Sequence, residues 1–337
     1  MGKSVKLSDI AKQLNVSTVT VSKALAGKSG VSLELRDKIK DLANEMGYKR
    51  PAVVQTESQT YNIGVLVSEM YLEKNTSFYW ELYQNVVTHA AKNDCFTMLE
   101  VLSLEDEKNL VISKMVREKK ADGIIVIGII NKQYLTLLKE NSDVPLVYLD
   151  FYYDSSSDDF IISDSFYGTY IMTNYLFEMG HRNIGFVGTV LATSSITDRY
   201  FGYTKSLLEH GVKQREDWVI NDRDLVSKYL KIDLPDEMPS AFVCNCDRTA
   251  YELMRKLVEK GYRIPEDVSV VGFDNYYTPV VTDVDVALTT YEVDMKEMAR
   301  MSIYIMLKRL HKDHYKSGIT MVQGRVVIRD SVKKLNE

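Results

Sequence analysis

The sequence has few cysteines and no long hydrophobic run, and both shortages limit where the protein can work. Its three cysteines, Cys95, Cys244 and Cys246, are an odd number, and two of them are separated by one residue. This spacing fits reduced thiols better than a framework of disulfides. No segment approaches the ~20 consecutive apolar residues of a membrane-spanning helix, and the first residues lack the apolar stretch of a secretory signal. We therefore expect a soluble cytoplasmic protein with no membrane partner.

The motifs of an enzyme are also missing. The five histidines fall in no recognisable pairing of nucleophile and base, and there is neither a P-loop nor a dinucleotide-binding fingerprint. His311 and His314 have the spacing of a metal pair, but no known ligand pattern surrounds them, so a solvated helix end is the better interpretation. We predict no catalytic residue, no metal and no cofactor.

What the sequence does contain is a concentration of basic charge at its start. Residues 1–50 hold ten lysines and arginines against five acidic residues, a balance of +5, while the 337-residue chain carries a net charge of -5. The remainder therefore carries -10. A basic head on an acidic body predicts a polyanionic partner for the head alone. The chain is long enough for one small and one large unit.

Two short helical patterns occupy the head. In LSDIAKQLNVSTVTVSKALAG the apolar spacing predicts a helix from Leu7, a turn at Asn15 and a second helix capped by Ser17. Ser32 can cap a third helix that ends at Gly47. Two helices joined by so short a turn suit a helix-turn-helix, whose second helix enters the DNA major groove. Spacing alone supports an ordinary helical hairpin about as well.

The second helix begins with short side chains, which a helix needs if its start is to enter a groove. The hydroxyls of Ser17, Thr20 and Ser22 are suited to bond phosphate oxygens, Thr18 and Val19 to touch thymine methyl groups, and Lys23 to donate to guanine. The predicted DNA-binding residues are Ser17, Thr18, Val19, Thr20, Ser22 and Lys23.

The rest of the chain alternates strands and helices. A polar stretch without periodicity predicts a hinge over residues 51–60. Beyond it, apolar runs such as NIGVLV, GIIVIG, PLVYLD, NIGFVG, SAFVCN and VSVVGFD alternate with helical patterns in two sets. Continuous β-branched strands separated by helices predict two doubly wound parallel-sheet lobes with a cleft at the carboxyl ends of the strands. The predicted helices span 78–93, 105–119, 133–141, 167–179, 196–210 and 247–260.

These motifs resemble the lactose/galactose repressor family of bacterial transcription regulators. The head matches the pattern D-[VI]-A-x-x-x-x-V-S-x-x-T-V-S-[RK]-x-L, and segments such as SDSFYGTYIMTNYLFEMGHRNIGFVG and CDRTAYELMRKLVEKGYRIPEDVSVVGFDN recur in the family's order over nearly the whole chain. The resemblance implies a helix-turn-helix head over 1–50, the hinge over 51–60 and a periplasmic-binding-protein-like core over 61–337.

The same resemblance implies a function. A homodimer would bind double-stranded operator DNA and repress a carbohydrate-utilisation operon, under the control of a small sugar or sugar-derived effector in the cleft. Control by a corepressor, either a purine or a partner protein, and a sugar-binding protein of the same core fold are the alternatives. The sequence leaves the effector, the operator and the choice between induction and corepression open.

Four positions depart from the family pattern. Lys6 stands where Thr or Ser usually caps the first helix, and Asn15 replaces the usual turn glycine. The hinge lacks the leucine that wedges into the minor groove, so either Val53 or Val54 serves as a smaller wedge or the linker has none. Cys246 replaces an asparagine of the pocket, which predicts a changed effector chemistry.

Candidate cleft residues stand at the strand ends. The resemblance implies that Arg199, Asp247 and Asp274 contact the effector, and that Phe78 and Tyr79 stack on its ring. Core packing explains each aromatic residue equally well, and capping near a crossover explains Asp150 and Asp164 better than ligand contact does. The predicted effector-binding residues are Phe78, Tyr79, Asp150, Arg199, Asp247 and Asp274.

Overall fold

Two compact units make up the chain, residues 1–59 and residues 60–337. The computed structural model describes residues 5–25, 31–46, 48, 60–72, 77–224, 230–276 and 284–335. Apart from residue 60, the predicted hinge with Val53 and Val54 lies outside the described residues, as does Gly47.

Among its described residues the first unit contains three helices, and the sequence predicted all of them. They are α1 (Leu7–Gln13), α2 (Thr18–Leu25) and α3 (Leu33–Glu45). Their apolar faces meet in one small core, because positions three and four apart lie on the same side of a helix. Its buried members are Ile10, Ala11, Val21, Ala24, Ile39 and Ala43.

Side chains cap these helices as their sequence requires. The Ser17 hydroxyl oxygen accepts a hydrogen bond from the backbone N–H of Thr20 at 3.0 Å, which confirms the predicted cap of α2. Lys6 cannot supply such an acceptor, and the Asp9 carboxylate instead accepts from the Lys6 backbone N–H at 2.8 Å. Asn15 has a φ of +50°, the left-handed conformation expected for the turn.

In the part that the structure describes, the second unit has two lobes, each built on a six-stranded sheet. In the first lobe the strands run β11-β5-β4-β3-β1-β2, and every neighbouring pair is parallel. In the second the order is β12-β10-β9-β8-β6-β7, and only the pairing of β10 with β12 is antiparallel among the described residues. The predicted fold class is confirmed. The strands are β1 (Asn62–Ser68), β2 (Phe96–Leu102), β3 (Gly123–Ile127), β4 (Leu146–Leu149), β5 (Asp159–Ser163), β6 (Ile184–Val187), β7 (Val219–Ile220), β8 (Ala241–Cys244), β9 (Ser269–Asp274), β10 (Thr289–Glu292), β11 (Ile319–Val322) and β12 (Arg325–Val327).

The helices cover the faces of both sheets. For example, α11 (Met295–Leu310) packs across four strands of the first lobe and against α4 (Phe78–Ala91), and α10 (Asp247–Glu259) packs on β8 and β9. Among the described residues, no helix has the length and apolar character needed to cross a bilayer. The helices are α4 (Phe78–Ala91), α5 (Leu104–Lys108), α6 (Lys114–Arg117), α7 (Lys132–Asn141), α8 (Ser165–Glu178), α9 (Ser194–Glu209), α10 (Asp247–Glu259) and α11 (Met295–Leu310).

One predicted helix is wrong. The sequence predicts a single helix over 105–119, but the structure has the two short helices α5 and α6 with Leu110 between them at a φ of +56°. The Glu100 carboxylate on β2 accepts hydrogen bonds from the backbone N–H groups of Lys114 and Met115, at 2.6 and 2.8 Å. The Glu100 carboxylate therefore caps the start of α6, so a new helix begins there. The spacing of residues 105–119 does not reveal this, because Glu100 lies on a strand outside that segment.

The chain crosses between the lobes three times, after β5, β10 and β11, and one buried carboxyl group connects the crossings. Asp164 follows β5, and its oxygens accept hydrogen bonds from the Tyr291 hydroxyl on β10 (2.7 Å) and from the Gly324 backbone N–H after β11 (3.3 Å). Its side chain makes no capping hydrogen bond to α8. Asp164 is the N-cap residue of α8, but its side chain holds the crossover loops together instead of capping the helix.

Candidate functional site

One face of α2 presents short and basic side chains to solvent. Thr18, Val19, Ser22 and Lys23 are all exposed, and Val19 keeps 61% of its surface exposed despite being apolar. Positions 18, 19, 22 and 23 share one side of the helix because they lie one turn apart. The structure therefore brings four of the six predicted DNA-binding residues onto one surface.

The other two predicted residues make internal hydrogen bonds. The Ser17 hydroxyl lies 2.8 Å from the Thr20 hydroxyl and also caps the helix. Ser17 is exposed and Thr20 is half-buried. Their hydroxyl groups fix the start of α2, and their contact with phosphate stays a prediction.

In the second unit, two acidic residues lie at strand ends that face one another across the lobes. Asp150 directly follows β4 in the first lobe, and Asp274 is the last residue of β9 in the second. Their φ angles are +68° and +108°, in a region that residues other than glycine rarely occupy. Such strained backbone persists only where surrounding structure holds it, and it is concentrated at binding sites.

Arg199 on α9 connects several groups that the second lobe places at the cleft. Its side chain is buried, and its guanidinium donates to the Asn245 carbonyl oxygen, to the Ser165 hydroxyl and to Asp274 Oδ1, the last two at 3.3 Å. The guanidinium carbon lies 3.8 Å from the centre of the Phe273 ring, a cation–π distance. Arg199 thus joins the carboxyl ends of β8 and β9 while keeping its charge beside the cleft.

Burial weakens the acidity of both cleft carboxyl groups. Desolvation raises the pKa of Asp150 to about 6, although the charge of Arg199 and a hydrogen bond with Tyr79 partly offset it. Desolvation also raises the pKa of Asp274 to about 7; Arg199 opposes that rise and the nearby charge of Asp150 adds to it. Each group changes charge near neutral pH, so each can accept or donate a hydrogen bond to a ligand there.

Aromatic rings line the first lobe's side. The Tyr79 ring lies 4.4 Å from that of Tyr71 and 5.3 Å from that of Phe78, measured between ring centres. Gly128 makes room for this group, since a Cβ there would lie 2.8 Å from the Tyr71 ring and its φ is +74°. Phe78 in turn meets Tyr276 of the second lobe edge to face, at 6.3 Å. The predicted pair is therefore joined by two tyrosines that the sequence did not single out.

Asp247 occupies a different environment from Arg199 and Asp274. Its carboxyl oxygens accept from the Thr290 hydroxyl at 2.5 Å and from the Tyr276 backbone N–H at 2.8 Å. Both oxygens therefore have protein partners, and burial raises the pKa of this carboxyl group. In this arrangement Asp247 positions the Tyr276 segment, and its contact with an effector stays a prediction.

A second arginine, which sequence reasoning missed, lies beside the tyrosines. Arg223 donates through Nε and Nη2 to the fully buried Asp222, at 3.0 and 2.6 Å. The Arg223 side chain is 25% exposed and interacts electrostatically with Tyr71 and Tyr79 of the first lobe. The segment NDRD has neither helical nor strand periodicity, so no pattern pointed to it.

The Asp222 carboxylate is held by an unusually full set of donors. Besides Arg223 it accepts from the Thr189 backbone N–H (2.9 Å), the Asn245 side-chain amide (2.9 Å) and the Thr249 hydroxyl (3.0 Å). Burial alone would raise the pKa of Asp222, but the hydrogen bonds and positive charge of Arg223, helped by Thr189 and Asn245, outweigh it and hold the pKa well below its usual range. Asp222 is therefore charged and fixes the Arg223 side chain.

One hydrogen bond joins the lobes at the edge of the cleft. Tyr152 follows β4, and its hydroxyl donates to Asp198 on α9, with distances of 2.8 and 3.1 Å to the two carboxylate oxygens. The helix itself is capped by the Thr193 hydroxyl, which accepts from the Ile196 backbone N–H at 3.1 Å. Asp198 is therefore available to hold the two lobes together.

The site has the composition of a binding cleft. Burial raises the pKa of the Cys246 thiol to about 11, and its sulfur lies 3.3 Å from the Thr249 hydroxyl, so it is not an activated nucleophile. Across the described ranges, no group of three or more His, Cys, Asp or Glu side chains is placed to hold a metal. The arrangement can hydrogen-bond and stack on a ligand.

Comparison with known proteins gives two family matches. Residues 6–51 match the family described as bacterial regulatory proteins, lacI family, and residues 173–332 match the periplasmic binding protein-like domain. The HTH-type transcriptional repressor PurR of Vibrio atlanticus (strain LGP32) is 30% identical over 344 residues, covering 98% of this chain and 99% of the relative. The PurR of Aliivibrio salmonicida (strain LFI1238) is 28% identical with the same coverage.

Solved structures share the fold over the full length. A transcriptional regulator CelR–cellobiose complex superposes with a TM-score of 0.69 at 20% identity, covering 97% of this chain and 99% of that chain. The lac repressor dimer bound to operator and the anti-inducer ONPF superposes with a TM-score of 0.66 at 21% identity, covering 98% and 100%.

Proposed function

Because this chain belongs to the lacI family of bacterial regulatory proteins, we propose that it represses a carbohydrate-utilisation operon under the control of a sugar or sugar-derived effector in the cleft. Membership makes the chain a DNA-binding transcriptional repressor, and the prediction that it is not an enzyme is confirmed. The effector class and the regulated genes are the proposal.

The exposed face of α2 is the observation that assigns DNA contact to particular residues. A helix that enters the major groove needs short side chains near its start and a donor within reach of base edges. Thr18 and Val19 offer methyl groups, Ser22 a hydroxyl and Lys23 an ammonium, all on the solvent side. We assign direct base contact to Thr18, Val19 and Lys23, and phosphate contact to Ser17, Thr20 and Ser22.

The chemistry of the cleft supports a polyhydroxyl ligand. Sugar hydroxyls donate and accept at once, and Asp150, Asp274 and Arg199 together offer both functions. The rings of Phe78 and Tyr79 supply an apolar face for the ring of a sugar. Proteins of this fold bind such ligands: the CelR structure is a complex with cellobiose, and a regulator from Enterococcus faecium holds ribose.

A second candidate is control by a corepressor such as a purine. The relatives that cover nearly the whole chain are named PurR, which favours this candidate over control by a partner protein. The two candidates predict opposite effects of the ligand, since a corepressor strengthens operator binding and an inducer weakens it. In either case the ligand acts only through its different affinity for the two arrangements of the lobes.

We also propose that the chain acts as a homodimer. The lac repressor with which it shares its fold is a dimer bound to operator. A two-fold symmetric dimer presents two recognition helices to two half-sites of one operator.

Titration of the protein against selected genomic fragments tests the DNA assignment. Lys23→Ala should relax base preference at one position, at a cost of about 1–3 kcal/mol, whereas Ser22→Ala should weaken binding to all sequences alike. Lys119→Ala, an exposed lysine of the first lobe paired with Asp143, is the matched control and should change neither. If both head variants keep full operator affinity, the assigned docking is wrong.

A thermal-shift screen tests the effector class. Sugars, sugar phosphates and purines are added to the full chain, because a ligand that binds the folded cleft raises the melting temperature by mass action. Each compound that stabilises the protein is then added to the operator titration. Stabilisation by purines with tighter operator binding would replace the sugar proposal by the corepressor.

A further inference from the structure

We propose that Arg223 selects for an oxyanion on the ligand, so that the cleft takes an acidic sugar, either a sugar acid or a sugar phosphate. This inference rests on the proposed function, because it names the class of effector for the same cleft. It depends on a side chain that neither the sequence pattern nor the family resemblance singled out.

The geometry leaves one edge of the Arg223 guanidinium available. Asp222 occupies the edge formed by Nε and Nη2. In the part of the chain that the structure describes, Nη1 donates no hydrogen bond, so the edge formed by Nη1 and Nη2 remains for a ligand. That edge carries parallel N–H donors whose spacing matches the two oxygens of a carboxylate or phosphate.

The position of this edge is fixed before any ligand arrives. Asp222 is fully buried and holds Arg223 through two hydrogen bonds, while Thr189, Asn245 and Thr249 hold Asp222. A guanidinium immobilised in this way loses little side-chain entropy on binding an oxyanion. The same anchoring makes Asp222 a support for the arginine.

Apart from the Asp222 carboxylate that anchors it, the other titratable groups found to interact with Arg223 are uncharged at neutral pH. The Tyr71 and Tyr79 phenols and the Cys246 thiol lie close enough for their ionised forms to interact with Arg223, but burial raises the pKa of each, so all three are neutral at pH 7. Further into the cleft, Asp150 and Asp274 lose part of their charge near neutral pH, with pKa values raised to about 6 and about 7. Their repulsion of an anion is correspondingly reduced.

A neighbouring atom favours a ligand that also carries hydroxyl groups. Asn245 directly follows β8, its side-chain amide nitrogen donates to Asp222, and its buried Oδ1 accepts no hydrogen bond within the described ranges. A buried acceptor without a donor is costly, and a ligand hydroxyl is a suitable donor. An oxyanion for Arg223 and a hydroxyl for Asn245 together describe an acidic sugar better than a neutral sugar or a purine base.

The test measures melting temperature and affinity on the full chain with four probes at constant ionic strength. They are inorganic phosphate, glucuronate, glucose 6-phosphate and the neutral parent glucose. We expect phosphate and the two acidic sugars to stabilise the protein more than glucose does. The acidic sugar with the larger shift tells whether the site prefers a carboxylate or a phosphate.

Substitution locates the effect. Arg223→Gln should weaken binding of the anionic probes at least about tenfold, whereas Arg215→Gln, a half-buried arginine of the same lobe that pairs with Asp217 and Glu237, should leave it unchanged. If Arg223→Gln fails to fold because Asp222 loses its partner, the double variant Asp222→Asn with Arg223→Gln removes both charges and takes its place. Anionic probes that bind no better than glucose, or that bind the Arg223 variant as well as the parent protein, overturn the inference.

Failure of this inference is distinguishable from failure of the proposed function. A neutral sugar or a purine that alters operator binding while the anions do nothing refutes only the role of Arg223. If the protein binds the anions through Arg223 but prefers no genomic fragment, the role of Arg223 in the cleft stands and the proposed operator binding is refuted.

Discussion

At the scale of single residues, Arg199 combines support with recognition. Its buried guanidinium joins the ends of β8 and β9 through Asn245 and Asp274 and rests on the Phe273 ring. If a buried arginine is replaced, the carboxyl group that it pairs with is left without a partner. Its removal must therefore affect stability as well as ligand binding.

We predict that Arg199→Ala abolishes the response of operator binding to the effector while the core still folds. Because Asp274 then lacks its charge partner, the free energy of unfolding should fall by about 3 kcal/mol. Denaturant unfolding and the operator titration with and without ligand measure the two effects. Arg215→Ala serves as the control, and an unchanged ligand response in the Arg199 variant would remove Arg199 from the pocket.

Asp274 gives a pH prediction. Burial raises its pKa in the folded protein to about 7, from a usual value near 4, so the folded state binds the proton more tightly than the unfolded state does. The contribution of Asp274 to the free energy of unfolding therefore falls as the pH rises from about 4 to about 7. Between pH 5 and pH 8 the parent protein should lose about 2–3 kcal/mol more unfolding free energy than Asp274→Asn, which cannot titrate there. Denaturant melts of both proteins at several pH values check this; parallel pH profiles would contradict it.

At the scale of elements, the strands and helices deliver side chains from their ends. In the parallel sheets, β4 and β9 bring Asp150 and Asp274 to the edges that face the cleft. In the head, α2 presents its first two turns to solvent while Val21 and Ala24 hold its other side in the small core. The position of the DNA-contact face therefore depends on where α2 begins.

Ser17→Ala tests whether DNA binding depends on the start of α2. The substitution removes the hydroxyl that accepts from the Thr20 backbone N–H, and loss of such a cap costs about 1 kcal/mol of helix stability. We expect a lower melting temperature for the head and weaker operator binding with unchanged base preference. Ser17→Asp restores an acceptor and should recover the melting temperature but not the affinity, because its charge repels phosphate. Recovery of neither would show that the cap is unimportant.

At the scale of the whole core, the two lobes are held both at their crossings and across the cleft. Asp164 and Tyr291 connect the crossover segments, and Tyr152 of the first lobe donates to Asp198 of the second. The contact across the cleft is half-buried and can break without unfolding either lobe. It is therefore suited to bias the balance between two arrangements of the lobes.

Tyr152→Phe should shift that balance toward separated lobes. Loss of one hydrogen bond to a carboxylate is worth about 1.5–3 kcal/mol, so ligand affinity should fall roughly tenfold or more while the melting temperature without ligand changes little. Calorimetric titration with the effector measures the affinity. Tyr153→Phe, which removes a hydroxyl bonded to Asp158 within the first lobe, is the control. Equal affinities in the two variants would refute a role for the contact between lobes.

Much of this molecule was predictable from local pattern. The three helices of the head, the Ser17 cap, the left-handed Asn15 and the two parallel-sheet lobes all follow from spacing and turn chemistry. The single helix over 105–119 failed because the acceptor that starts α6 is Glu100 on another strand. Arg223 was missed because its segment has no periodicity and its role depends on Asp222, Asn245 and Thr249 meeting there.

The amino-acid sequence by itself determined the helices of the head, most helices and strands of the two lobes and the family resemblance, since these depend on neighbouring residues and ordered motifs. It did not indicate α11 or the break at Leu110. Only the tertiary structure decided how β11 and β12 divide between the two sheets, that Asp247 has both oxygens occupied, and that a second arginine stands at the cleft. The physical reason is that burial, charge pairing and hydrogen-bond satisfaction arise between residues far apart in the chain. The pattern of residues within a short segment does not reveal these interactions.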